Sequence, residues 1–189
     1  MNKRKALIFV SLFLIAVFAL PVSVHAAWKT MSSEKQTVGN STIWIDYNAI
    51  HIKNNRTGTL RTLNYNYSAQ AITNGKTMYC TNRYGKTGGY IDYYKYDLAS
   101  GKITRLFRIK DGTYVGNILI AYRNGYLYFD SSKITGYKRG YSVLRRIKIS
   151  TKKISIVKSH FSGTSWNGKE TITGYLELGG RYTKTKVKI

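Results

Sequence analysis

The 189-residue sequence predicts an all-β protein of antiparallel, four-stranded, blade-like repeats, arranged as a small or incomplete β-propeller after an N-terminal signal helix. Three observations carry that expectation. Apolar and aromatic residues alternate with polar ones at a period of two through most of the chain beyond residue 40, which is strand spacing. Asn-Gly pairs begin at Asn74, Asn124 and Asn167, 50 and 43 residues apart; the dipeptide suits a type I′ hairpin, whose two central residues both need positive φ. After the leader, no stretch carries the apolar stripe of an amphipathic helix.

The leader comes first. Lys3, Arg4 and Lys5 precede an uncharged, apolar run over residues 6–24, and Val24-His25-Ala26 offers a small residue where signal peptidase reads. Residues 1–26 are therefore expected to be a cleaved signal peptide, and residues 27–189 a single secreted β-repeat domain. The competing reading is an uncleaved anchor, since 19 uncharged residues approach the roughly 20 that a bilayer span needs. Only in that case is a membrane a partner. Cleavage removes three basic residues and leaves 28 basic against 8 acidic side chains, a net charge of +20.

Residues 28–39 are polar and aperiodic and read as an arm. Residues 41–47 alternate, with Ile43, Ile45 and Tyr47 on one face and Thr42, Trp44 and Asp46 on the other. Ile50 and Ile52 continue the pattern, residues 54–58 carry turn chemistry, and residues 59–64 form a short strand. Residues 74–109 are the clearest unit. It holds an Asn-Gly turn, a strand, a glycine-rich loop over 84–89, an aromatic strand over 90–98, and a turn at Ala99-Ser100-Gly101-Lys102. Its last strand is expected to place Ile103, Phe107 and Ile109 on one face. Ile118, Ile120 and Tyr122 are expected to share a face, as are Tyr126 and Tyr128. In the next strand Tyr141, Val143, Ile147 and Ile149 lie opposite Ser142, Arg146 and Lys148. A strand over 154–160 returns with Ile154 and Ile156 inward. Residues 171–178 and 182–189 then close a hairpin around Gly179-Gly180.

These elements repeat. Residues 97–104 align with 148–155 at a shift of 51, and residues 57–63 match 100–106 at a shift of 43. The implied units are about 41–72, 73–117, 118–165 and 166–189. Periods of 40 to 50 residues with four short strands are what propeller blades give.

NGKTMYCTNR followed by YIDYYKYDLASGKITRL resembles the blades of secreted TolB-like, six-bladed β-propellers, including bacterial families without a defined function. The likeness is good over residues 74–109, weaker over 118–160 and faint elsewhere; the second copy carries Lys148 where the blade aspartate would be, and Thr151-Lys152 in place of the turn glycine. What it implies is fold rather than activity. At roughly 45 residues per blade, the mature chain supplies about three and a half blades, fewer than the four a ring usually needs. The strands near residues 43–53 could complete a last blade begun by 171–189. An open stack, a homo-oligomer that completes the ring, or another all-β shape would also accommodate the hairpins.

Chemistry-bearing residues are few. One cysteine, Cys80, excludes an internal disulfide, and with two histidines beyond the leader a structural metal site lacks ligands. No cofactor or metal is expected. Cys80 has no base in a motif context and reads as a packed thiol. His160 beside Ser159 and Ser162 lacks a nucleophile elbow. Asp92, Asp97, Asp130 and Glu170 could be drawn as carboxylate pairs, but Asp97 is better read as a turn cap. No catalytic residue is assigned, and the chain is not expected to be an enzyme.

Charge is the strongest functional signal. Lys184, Lys186 and Lys188 project to one side of the last strand with Arg181 just before them, and Lys133, Lys138 and Arg139 crowd one loop. These seven are the candidate polyanion-binding residues. Tyr90, Tyr94 and Tyr96 share a face and are candidates for stacking on a sugar, though strand packing explains them as well. The expectation is a secreted, non-catalytic protein, extracellular or cell-wall associated. It would associate electrostatically with anionic envelope polymers or acidic glycans, and with no specific nucleic acid. The alternative is a tyrosine-based carbohydrate-binding module, and a more distant one a hydrolase on a propeller scaffold.

Overall fold

The computed structural model describes residues 27–66, 69–85, 89–136 and 140–189; the leader expected at residues 1–26 lies outside them. The described chain is all-β. Its sixteen strands form four antiparallel sheets that follow one another in sequence. The first sheet holds β2 (Gln36–Val38), β3 (Ser41–Asp46), β4 (Ala49–Asn54) and β5 (Leu60–Asn64). The second holds β6 (Gln70–Thr73), β7 (Thr77–Tyr84), β8 (Tyr90–Asp97) and β9 (Ile103–Lys110), with the two-residue β1 (Lys29–Thr30) added beside β6. The third holds β10 (Tyr114–Arg123), β11 (Tyr126–Ile134), β12 (Gly140–Lys148) and β13 (Ile154–Ser159). The fourth has only β14 (Phe161–Trp166), β15 (Thr171–Leu178) and β16 (Arg181–Lys188). The sheets begin at residues 36, 70, 114 and 161, three to five residues before the expected units at 41, 73, 118 and 166.

The alternating side chains meet in three seams. Ile43, Ile50 and Ile52 of the first sheet pack on Ala71, Met78, Cys80 and Tyr96 of the second. Ile72, Tyr93 and Phe107 of the second meet Leu119, Leu127, Phe129 and Ile147 of the third. Ala121, Tyr128 and Leu144 of the third meet Phe161 and Ile172 of the fourth. Burying each such side chain is worth about 1.5–3 kcal/mol, so the seams hold the stack together. Among the described residues none of the three cores joins the fourth sheet to the first. The strands near residues 43–53 do not complete a last blade: β3 pairs with β2 and β4, all within their own sheet. The stack is therefore open, with one outer face uncovered at each end.

The segment read as an arm is structured. Trp28 stacks on Tyr79 at 5.4 Å and lies 4.7 Å from Tyr122, wedging between the second and third sheets. The Met31 amide donates to the Ala71 carbonyl and the Ser32 carbonyl accepts from Ile45, so this segment ties the second sheet to the first.

The repeat is visible in the turns. The amides of Gly58, Gly101 and Lys152 donate to the carbonyls of Asn54, Asp97 and Lys148 at 2.8, 2.8 and 2.7 Å. All three residues have positive φ, Lys152 included at +58°. The lysine thus adopts the glycine's conformation where the second copy lacks glycine, at a cost of about 1 kcal/mol. Asp97 caps its turn as expected, its carboxylate accepting from the Ala99 and Ser100 amides at 3.1 and 2.7 Å. The three Asn-Gly corners are not alike. Only Asn124-Gly125 has both residues at positive φ, +49° and +80°. At the other two the loop is longer, and the carboxamide oxygens of Asn74 and Asn167 accept amides of the loop instead.

Bulges overturn two of the expected faces. In β9 an extra residue at Leu106 lies between the pairs Tyr94↔Arg105 and Tyr93↔Phe107. Ile103 therefore ends on the other side from Phe107 and Ile109 and is half exposed. In β10 a similar irregularity at Ile120 puts Tyr122 against the second sheet, while Ile120 packs toward the fourth. A bulge adds one residue to one strand, which reverses the parity beyond it.

Candidate functional site

The lysines of the last strand do gather. In β16, Lys184, Lys186 and Lys188 are registered opposite Tyr175, Thr173 and Thr171 of β15. Directly opposed residues of an antiparallel pair share a face. Val187 and Ile189 pack into the seam with the third sheet, so the lysines stand on the uncovered outer face. Successive lysines are about 7 Å apart, two strand residues. Tyr175 and Tyr182 are exposed beside them at 44% and 64%. Glu170 lies 3.9 Å from the Lys188 ammonium and 3.6 Å from Arg123, and Glu177, opposite Tyr182, stands on the same face diagonal to Lys184. Arg181 opens the strand from the Gly179-Gly180 turn and is exposed, opposite Leu178. Lys133 is elsewhere, on the third sheet, opposite Tyr114 and Tyr141, with its ammonium 5.5 Å from the Tyr141 ring centre. Lys138 and Arg139 lie outside the described residues.

The three tyrosines are divided. Tyr96 is buried between the first and second sheets, and Tyr94 packs partly against the same core. The Tyr94 hydroxyl donates to Asp92 at 3.4 Å. Tyr90 is half-buried, stacks on Tyr84 at 4.6 Å and has the Arg108 guanidinium 3.6 Å above its ring. They do not form one exposed platform.

The carboxylates are spread among separate partners. Arg108 donates twice to Asp92, both at 2.8 Å, and these bonds hold that carboxyl below the usual range. Asp111 accepts from Arg83 at 2.9 Å. Asp130 faces the fourth sheet, where burial pushes its carboxyl up to about 6 despite a 3.2 Å bond from the Thr164 hydroxyl. Cys80 is enclosed beside the Tyr65 hydroxyl at 3.2 Å, and burial raises its thiol to about 12. A thiol so poorly ionised is a weak nucleophile at neutral pH. Among the described residues no three His, Cys, Asp or Glu side chains gather as metal ligands.

Two features escaped the sequence. The first is a cleft of about 670 Å3 where corners of three sheets converge on Trp28, lined by Asn74, Tyr122, Asn124, Asn167 and Glu170. A Cβ on Gly168 would sit 2.3 Å from the Trp28 carbonyl oxygen, so only glycine fits this corner. The second is a polar knot between the second and third sheets. Asn117 is fully buried at a φ of +47°. Its amide nitrogen donates to Asp111 at 3.2 Å, and its side-chain oxygen accepts from Ser131 at 2.9 Å and from Arg145 at 3.3 Å. The Tyr93 hydroxyl donates to its backbone carbonyl at 2.9 Å. The signal for this knot was present: Arg145 shares parity with Tyr141, Val143 and Ile147, which puts a guanidinium on a core-facing side.

No family model matches the chain, and comparison with curated proteins returns no significant match. Function therefore rests on the geometry above.

Proposed function

We propose that the chain is a secreted, non-catalytic protein that associates electrostatically with anionic cell-envelope polymers through the outer face of its last sheet. The observation that carries this reading is the row of Lys184, Lys186 and Lys188 on an uncovered face. The chain has 31 basic and 8 acidic side chains, and several of the acids are engaged internally by Arg83, Arg108 and Thr164. The cationic surplus therefore needs external counter-charge. Polyanions reach such a surface from about 8–10 Å in physiological salt. The exposed Tyr175 and Tyr182 add contact area beside the charges.

The four sheets read as blades of an incomplete propeller of the TolB-like kind, supported by the recurring turn and by seams between successive sheets. The glycan-binding alternative built on Tyr90, Tyr94 and Tyr96 has less support, because Tyr96 is enclosed.

The test is binding to purified cell walls across a salt series. Affinity should fall steeply with salt, and the Lys184→Gln/Lys186→Gln/Lys188→Gln protein should bind about ten- to a hundredfold more weakly at low salt, with a slope shallower by roughly one unit per lysine removed. Salt-independent binding, or no binding at low salt, would sink the proposal.

A further inference from the structure

Arg145 is the most unusual charge in the molecule. It is only 8% exposed, in the seam between the second and third sheets. Its guanidinium carbon lies 4.0 Å from the Tyr114 ring centre and 5.3 Å from that of Phe129. All eight carboxyl side chains of the protein lie among the described residues, and none forms an ion pair with it. The carboxylate in its network, Asp111, is taken by Arg83, which also donates to the Gly116 carbonyl. Arg145 makes one hydrogen bond, 3.3 Å to the Asn117 side-chain oxygen, which Ser131 already occupies at 2.9 Å.

A guanidinium carries five N–H donors. One of its nitrogens bonds Asn117, and the others are not among the fully buried nitrogens without a partner, so the free donors of this largely enclosed side chain reach solvent and are open to an anion. The surroundings add positive charge rather than removing it. The one carboxylate of the network, Asp111, pairs with Arg83 and not with Arg145, and Lys133 stands on the same sheet face, registered opposite Tyr114, the ring that covers Arg145. Lys133 and Tyr114 are half-buried, and so is Tyr141, which stacks on His160 at 4.0 Å. The Tyr141 hydroxyl beside Lys133 raises its basicity, whereas burial lowers that of Arg145. The group is rigidly built: Asn117 holds a left-handed backbone conformation, fully buried, to place its side chain between Asp111, Ser131 and Arg145.

We propose that Arg145, with Lys133 and Tyr114 at its rim, forms a discrete site for one oxyanion, the phosphate or carboxylate group of a ligand. Guanidinium matches either group through paired N–H donors. The site differs from the lysine face in kind. It takes one enclosed anion by geometry, not many by charge density, and it stands whether or not the lysine face binds polymers.

Calorimetric titration of the full mature chain with inorganic phosphate, and separately with acetate, at matched ionic strength tests it. The expected result is saturable binding of one anion per chain. Saturation by phosphate alone assigns a phosphate-bearing ligand, and by acetate alone a carboxylate. Arg145→Met should weaken binding at least about tenfold, as loss of a charge-assisted contact does. Because that change sits in a seam, Lys133→Gln provides a second reading, with a loss of about threefold and an unchanged circular dichroism spectrum. The triple lysine-to-glutamine variant of β16 should bind the small anion as the parent does. No saturable binding of either anion, or binding that survives both Arg145→Met and Lys133→Gln, would overturn the site. Loss of binding only in the β16 variant would do so equally, by assigning the anion to the lysine face.

Discussion

The two end sheets face solvent in the same way and use their uncovered faces differently. On the first sheet, Trp44 stacks on His51 at 4.8 Å, Lys35 lies over the Trp44 ring at 5.0 Å, and His51 bonds Asp46 at 2.6 Å and Thr62 at 3.1 Å. These groups find partners within their own face, while Lys53 beside them is exposed. On the last sheet Lys184 and Lys186 have no acidic partner, and Lys188 has only the more distant Glu170. The first face pairs most of its polar groups internally, and the last presents a row of ammonium groups to solvent. The seams behind them differ too. The first sheet is backed by eleven buried residues and tied by the Met31 segment. The last, one strand narrower, is backed by six buried residues beside a carboxylate held above its ordinary range.

That contrast can be broken most directly at Phe161, whose ring is fully buried against the third sheet. Phe161→Ala should cost about 3–4 kcal/mol in denaturant unfolding. Hydrogen exchange should then quicken in β14, β15 and β16 first; equal quickening in β2 to β5 would mean that the ends are not independent units. The next largest effect concerns charge. Lys35→Gln/Lys53→Gln on the first sheet should leave cell-wall affinity within about twofold, against the ten- to hundredfold loss for the β16 triple change. Similar losses from both would spread binding over the whole surface.

A third prediction concerns the last seam. The Asp130 carboxyl at about 6 in the fold lies above its ordinary value of about 3.9, so its protonated form favours folding. That contribution is full below about pH 4 and is lost as pH rises through 6. Asp130→Asn stays neutral and should stabilise the protein by about 1–2 kcal/mol at pH 7, allowing for partial exposure, and should flatten stability between pH 4 and 6. An unchanged pH profile would show that Asp130 ionises freely. The smallest effect is expected at the first end, where Trp44→Ala should lower stability by about 1 kcal/mol through lost stacking and cation contacts while leaving polymer binding intact. A large loss of cell-wall affinity would move the functional face to the wrong end of the stack.

Much of the fold was legible in the chain because it is local. Asp97 as a turn cap, the Gly179-Gly180 hairpin and the alternation of Ile43 and Ile45 with Trp44 each depend on a few neighbouring residues. The lysine row was legible for the same reason, since parity along one strand needs no knowledge of other strands. Lys133 and the tyrosines were harder. Their chemistry was visible, but whether Tyr96 faced solvent or another sheet depended on residues far away in sequence. Arg145 is flanked by charged Arg146 and Lys148 on the other side of the strand, and only the packing of the second sheet on the third shows that it is buried.

By itself the sequence determined that this chain forms strands, where they turn, and which residues of each strand stand together, because period-two geometry and turn chemistry act over a few residues. Only the tertiary structure decided that the sheets stack without closing, that bulges at Leu106 and Ile120 reverse the faces beyond them, and that Arg145 is enclosed without a carboxylate. Those outcomes depend on how twisted sheets fit against one another across seams about 10 Å wide, and such contacts join residues that the chain leaves tens of positions apart.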